Sequence, residues 1–320
     1  MHNQSNEPVL GIDIGGTKVF IGLVSSGGQI LHSYKYPMQR GKPDVLFNDL
    51  TVGIDRVLKE AKQQPKAIGI GLKGHVDAEH NQILSSSLIQ MDAPYDLCAE
   101  LTRRYGLPAA IDNDVNAATL AEAAIGAGRT ANHFVYVNIG TGSAIGVYEN
   151  GTLMRGRNNN YGEIGYTLCR RTNGEDGLFF LEDVASGRGL DHEIRRLGAQ
   201  YTHSVLQNAM MNQTTLVSAV EIFEAYRNGD ELAICAVEHA LEVLALSILN
   251  FECLLNCGLY IFGGGIVKDP WFFGMLQNTV QKLCKLTKLQ FTVQMRMSDL
   301  GAENVGLLGA ASIALSVLEK

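Results

Sequence analysis

The stretch VLGIDIGGTKVFIGLV, residues 9–24, is a run of apolar, β-branched-rich sequence interrupted at its centre by Asp13, Gly15, Gly16, Thr17 and Lys18. It reads as two strands joined by a hairpin turn. Such a turn needs a residue that tolerates positive φ, which accounts for one glycine and leaves the rest of the cluster unexplained. Glycine lacks a Cβ, so successive backbone N–H groups can face an anion. Thr17 adds a hydroxyl donor and Lys18 a charge, and Asp13 at the strand end can hold a hydrated Mg²⁺. The ligand these residues suit is a polyphosphate.

The same device recurs at HFVYVNIGTGSAIGVYENG, residues 133–151, where VNIGTG echoes the IDIGGT of residues 12–17. Gly140, Thr141 and Gly142 offer the second phosphate turn, with Thr141 and Ser143 as hydroxyl donors. Two such turns suit a nucleoside triphosphate, ATP, and the alternative is a pair of ordinary hairpin turns. Neither turn matches the P-loop pattern or a strand-to-helix dinucleotide pattern. A third glycine cluster, Gly263, Gly264 and Gly265, ends the apolar run LYIF and can lie flat against an adenine ring; a plain strand-to-helix turn is the other reading. Between these landmarks β-branched runs alternate with helical periodicities, for example a helix over 44–64, a buried strand over 67–72 and a helix over 96–106. The class is α/β, built as duplicated lobes facing a shared cleft. The lobes are expected to comprise residues 1–115 plus 303–320, the last helix returning to the first lobe, and residues 116–302.

At 320 residues the chain exceeds what one core organises. Its 26 basic and 33 acidic side chains, net −7 with no long basic run, exclude a nucleic-acid backbone binder. The six cysteines form no CxxC pair and read as reduced thiols, Cys253 and Cys257 as buried ones. The polar N-terminus has no signal-like apolar core, and the greasiest segment, 241–255, carries Glu242, Asn250 and Glu252, so no membrane span is expected and the cytoplasm is the expected compartment.

Chemistry is suggested by AAIDNDVNAATLAEAAIGAG, residues 109–128, where a buried strand stops and an Ala-rich helix begins. Asp114 reads as the helix cap. A carboxylate there is held ionised by the helix dipole and free N–H groups, and can take a proton from a hydroxyl nucleophile during phosphoryl transfer. Asn113 beside it can fix a neighbouring hydroxyl. Glu163 and Glu182 are carboxylates in partly apolar frames, suited to the vicinal diols of a sugar; solvated surface glutamates are the alternative.

Together these residues resemble the ROK family of sugar kinases and related repressors, within the actin/Hsp70/hexokinase fold group, whose two-lobed, ribonuclease H-like fold has a central cleft. The resemblance runs through DIGGTK (13–18), GxxGxVD (71–77), DNDxN (112–116), GTG (140–142), GEIG (162–165), LExxASG (181–187) and GGG (263–265). It implies ATP and Mg²⁺, with Asp114 as base for the 6-hydroxyl of a hexose or N-acylhexosamine, glucose or N-acetylmannosamine-like. Asn113, Glu163 and Glu182 would hold other hydroxyls, Gly74, His75 and Ser86 would line the sugar pocket, and the chain would be a homodimer. Three departures stand out. The family's ExGH ends here in Tyr166. Its cysteine-rich zinc motif is replaced by Asn173, Glu175 and Phe180, so no structural zinc is expected. Lys73 and His75 replace two prolines, so Tyr166, Lys73 and His75 are expected to reshape the sugar pocket. A sugar-sensing repressor would need a DNA-binding segment before the first strand, and only ten residues precede Gly11. A non-catalytic sugar-binding or regulatory protein remains the alternative, against which Asp13, Thr17 and Asp114 argue.

Overall fold

The computed structural model describes residues 7–170, 177–212 and 214–318. Its first strands are β1 (Val9–Ile14), β2 (Lys18–Val24) and β3 (Ile30–Pro37). Helix α1 (Pro43–Ala61) leads to β4 (Ile68–Leu72), the small hairpin β5 (His75–Asp77) and β6 (Gln82–Ser85), α2 (Leu97–Tyr105), β7 (Ala109–Asn113) and α3 (Asp114–Ala124). The second run comprises β8 (His133–Ile139), β9 (Ser143–Glu149), β10 (Thr152–Met154), β11 (Leu168–Arg170), β12 (Leu178–Phe180), α4 (Gly187–Leu197), α5 (Gln207–Met211), α6 (Ala219–Arg227) and α7 (Glu231–Leu255). It closes with β13 (Leu259–Gly263), α8 (Pro270–Leu286), β14 (Gln294–Met297) and α9 (Val305–Leu318).

Two five-stranded sheets result, ordered β3-β2-β1-β4-β7 and β10-β9-β8-β13-β14. Contacts divide the chain into two compact units, residues 1–132, 146–161 and 298–320 in the first and 133–145 with 162–297 in the second. The chain passes from the second unit into the first along β9. Helix α3, which the expected division cut at 115/116, falls wholly in the first unit, as does α9.

In the first unit β1 and β4 are parallel neighbours whose apolar residues are fully buried, the continuous pattern of strands covered on both faces. Edge strand β3 alternates half-buried and exposed residues because one face meets solvent. Helix α1 starts with Pro43 in its first turn and stops where Lys62 adopts left-handed backbone. It buries Leu46, Leu50, Ile54 and Val57, one face at helical spacing. Leu50 is fully buried, and its truncation to Ala would cost about 3 kcal/mol. Helix α9 lies directly on the sheet through small residues: a Cβ on Gly69 of β4 would run into the Ala310 carbonyl oxygen, and one on Gly309 would meet the backbone of Ala117 in α3.

The second unit is built on aromatic packing, with Phe223 stacked on Phe272 at 4.8 Å and Phe262 edge-on to Phe273 at 5.3 Å. Its 25-residue α7 is long and apolar enough to cross a membrane, but most of its apolar residues are buried inside the protein. Its Glu252 is 2% exposed and accepts hydrogen bonds from Tyr260 Oη and Gly258 N–H, both at 3.1 Å. That is the pattern of a core helix whose one buried acid is satisfied.

Candidate functional site

In the first unit β1, β4 and β7 run parallel, with Asp13 opposite Gly71 and Gly71 opposite Asp112. Their carboxyl ends therefore line one edge, where ligands bind in open α/β sheets. From β1 the chain enters the Gly15–Lys18 turn, closed by Gly15 N–H donating to Lys18 O at 3.0 Å. Neither Gly15 nor Gly16 has positive φ, so conformational freedom is not what the glycines supply. What matters is the missing side chain: only Lys73 atoms lie within 4 Å of where a Cβ on Gly16 would stand. Among the described residues, no hydrogen bond from the N–H of Gly16 or Thr17 is found. The Asp13 carboxyl is pushed up to about 7, first by burial and then by the charge of Asp114, with Lys18 and Lys35 pulling it back.

At the β7–α3 junction the cap is Asn113, not Asp114. Asn113 Oδ1 accepts from Val115 N–H at 2.8 Å, and its Nδ2 donates to Gly74 O at 2.9 Å. Asp114 is the first helical residue, its Oδ1 taking the same Val115 N–H at 3.1 Å. The capping role expected of Asp114 thus falls one residue earlier, and much of Asn113's bonding capacity is used within the protein. Ser86 Oγ donates to Lys73 O at 2.8 Å, and His75 Nε2 lies 3.2 Å from Asn158 O. Asp13, Gly15, Gly16, Thr17, Lys18, Gly74, His75, Ser86, Asn113 and Asp114 are therefore gathered along one edge. Lys73, expected to reshape the sugar pocket, has its carbonyl facing Ser86 and its ammonium over the Gly16 turn.

Sequence reasoning missed the network under this edge. Asp112, 1% exposed, pairs with Arg155 through Nε at 2.9 Å and a second guanidinium nitrogen at 2.8 Å. Its other oxygen accepts from Asn116 at 2.9 Å and Asn159 at 3.1 Å, and Asn159 also donates to Val76 O. The 155–159 segment is thereby tied to the strand end that carries Asn113 and Asp114. An acid on a buried strand demands a cation, and that was the available signal.

In the second unit the Gly140–Gly142 turn follows β8, and Gly263–Gly265 follows its parallel neighbour β13. Ile266 N–H donates to Ile139 O at 3.1 Å and Gly187 N–H to Gly140 O at 2.8 Å, joining the two glycine clusters and the start of α4. Gly264 has φ +96° and packs on the Ile139 carbonyl, so no side chain fits there. Gly265 has nothing within 4 Å of a Cβ position. Thr141 is exposed, but Ser143 is not the free hydroxyl donor the sequence suggested: it is 4% exposed and donates to Ala185 O at 2.6 Å. Glu182 accepts from Ser143 N–H at 3.0 Å and lies against Gly142 and Gly165. Glu163 is exposed at the entry to a 3-10 turn over Ile164–Tyr166. Tyr166 is 72% exposed, its ring edge-on to Phe180 at 5.8 Å.

Phe180 pairs with Leu168 in the β11–β12 hairpin, while Asn173 and Glu175 lie outside the described residues. Among the described residues no cluster of three His, Cys, Asp or Glu side chains is placed to hold a metal. All six cysteines are free; Cys253, expected to be buried, is exposed, and Cys257 is half-buried. Asp13 and Asp114 nevertheless suit a cation that takes one or two carboxylates and completes its shell with water and phosphate, as Mg²⁺ does. Two neighbouring acids, one raised to about 7, are relieved by such a charge.

The sequence pattern of the ROK family matches residues 9–317. A glucokinase of Thermotoga maritima is 30% identical over 313 residues, covering 95% of this chain and 96% of its own. An N-acetylmannosamine kinase of Vibrio vulnificus is 27% identical over 310 residues, covering 95% and 96%. The crystal structure of a ROK hexokinase from Thermus thermophilus superposes with a TM-score of 0.78 at 25% identity, covering 98% of this chain and all of that one. The two-domain hexokinase-like α/β fold expected from the sequence is thus the fold observed.

Proposed function

The chain belongs to the ROK family, and we propose that it is an ATP- and Mg²⁺-dependent kinase that phosphorylates the 6-hydroxyl of a hexose or N-acylhexosamine, glucose or N-acetylmannosamine-like. One observation carries this reading. An acid in the first turn of a helix, a second acid and a glycine turn with two unspent amides stand along the same row of strand ends.

In this reading Asp114 accepts the proton of the sugar hydroxyl as the phosphoryl group transfers, and the helix start keeps it anionic. The amides of Gly16 and Thr17, the Thr17 hydroxyl and Lys18 hold donor phosphates, with Gly140, Thr141 and Gly142 as the second phosphate turn and Gly263–Gly265 beside adenine. Asp13 would hold Mg²⁺, which when bound neutralises phosphate charge. Gly74, His75, Ser86, Asn113, Glu163, Tyr166 and Glu182 are assigned to the sugar, Asn113 chiefly by fixing the Gly74 loop. The reading takes the enzyme as a cytoplasmic homodimer; six free thiols suit a reducing compartment.

The test is ADP release with a panel of hexoses and N-acetylhexosamines. Turnover with at least one sugar is expected. Sugar binding without ADP release from any of them would replace the kinase with the non-catalytic sugar-binding alternative.

A further inference from the structure

We infer that Lys73 is a phosphate ligand, its ammonium supplying the β1–β2 glycine turn with a second cation for the donor's phosphate oxygens. The inference rests on the kinase reading and deepens it by adding a residue to the phosphate site.

Lys73 immediately follows β4, and its main chain is fixed on both sides. Its N–H donates to Ile14 O at 3.1 Å, at the end of the strand that enters the turn, and its carbonyl accepts from Ser86 Oγ at 2.8 Å. From this anchored root the side chain runs to the turn. Cδ and Nζ lie 3.8 and 3.9 Å from where a Cβ on Gly16 would stand, and no other atoms lie within 4 Å of that point. The side chain of this half-buried lysine thus lies over the spot that a side chain at position 16 would occupy, beside two amides that donate to nothing among the described residues.

The charge is not spent elsewhere. Among the described residues Lys73 forms no ion pair, whereas Lys35 reaches Glu303 at 3.6 Å and lies over the Phe20 ring at 4.2 Å. The charges that act on Asp13 come from Lys18, Lys35 and Asp114. A cation without an ion pair beside two backbone N–H groups that donate to nothing among the described residues supplies the elements of a phosphate site, where lysine serves as a compact point charge.

Calorimetric titration of the full chain with Mg²⁺–AMPPNP, with tripolyphosphate and with adenosine tests the assignment in the wild type and in K73M, which keeps the stem. K73M is expected to weaken AMPPNP and tripolyphosphate about tenfold, the loss of one charge-assisted contact. Adenosine binding and the melting temperature are expected to stay unchanged. Wild-type affinity for both phosphates in K73M overturns the inference and leaves the kinase reading standing. An equal loss for adenosine overturns it too, since Lys73 would then act through the fold. Failure of the wild type to bind either phosphate compound removes both readings.

Discussion

In the first unit the strand entering the glycine turn carries Asp13 opposite a glycine, Gly71, of its parallel neighbour; in the second the matching strand carries Asn138 opposite Gly263. Both sheets have the same order, an antiparallel edge, a hairpin strand and then parallel neighbours. Their loads differ. The first unit crowds Asp13, Asp112 and Asp114 at its strand ends and leaves its turn open, bordered by Lys18 and Lys73. The second bolts its turn down through Gly187, Ile266 and the buried Ser143. In the proposed kinase reading the duplicated topology would thus separate two tasks: acid–base chemistry and charge on one copy, a rigid glycine platform on the other.

Asp114→Asn tests that asymmetry most severely. Loss of the base should lower kcat by about 10²–10⁴-fold, with sugar affinity within about threefold of the wild type. A change confined to KM would mean that Asp114 only binds sugar, and the first unit would lose its claim to the chemistry.

The next largest effect is expected at Arg155→Met. Asp112 would keep the Asn116 and Asn159 amides but lose its only described ion-pair partner. Because Arg155 is itself 39% exposed, the cost should fall below that of a fully buried pair, about 2 kcal/mol in chemical denaturation, with kcat reduced as the β7–α3 corner loosens. Unchanged stability and kcat would remove the network from the comparison.

This network also marks where sequence reading stopped. The strand-turn-strand duplication, the buried strands and the closing helix were legible because glycine turns and hydrophobic periodicity are local signals. Arg155 stands 43 positions from Asp112, and no spacing rule joins them. Asn113 displaced Asp114 as the cap because either side chain can accept the same amide, and only backbone geometry decides between them. Lys73 reads in the sequence as reshaping the sugar pocket because it replaces a proline common in the family, yet a lysine stem reaches away from its own backbone.

The two turns can be set against each other directly with alanine. Gly16→Ala places a methyl in ordinary contact with the Lys73 side chain and clear of any clash, so stability should change by less than about 0.5 kcal/mol while AMPPNP affinity falls about tenfold. Gly142→Ala drives a methyl into the Glu182 carboxylate, which must swing away from Ser143 N–H, and about 1 kcal/mol of stability should be lost. The reverse pattern, a fold-breaking Gly16→Ala with a silent Gly142→Ala, would exchange the roles of the two turns.

The smallest effect is expected at Ser143→Ala, and it separates the sequence reading of the second turn from the structural one. A serine in a glycine turn suggests a hydroxyl offered to phosphate, but this hydroxyl is buried and donates to the Ala185 carbonyl just ahead of α4. Its removal takes one donor from that carbonyl, at about 1 kcal/mol, or roughly 2–4 °C in melting temperature for a domain of this size. AMPPNP affinity should stay within about twofold, because the backbone bonds of Gly187 and Ile266 still hold the turn. A loss of nucleotide affinity greater than tenfold without a drop in melting temperature would show that the hydroxyl turns outward to the ligand. The second turn would then grip phosphate with a side-chain hydroxyl as well, as proposed for Thr17 in the first, and the division between chemistry and platform would give way to two equivalent grips.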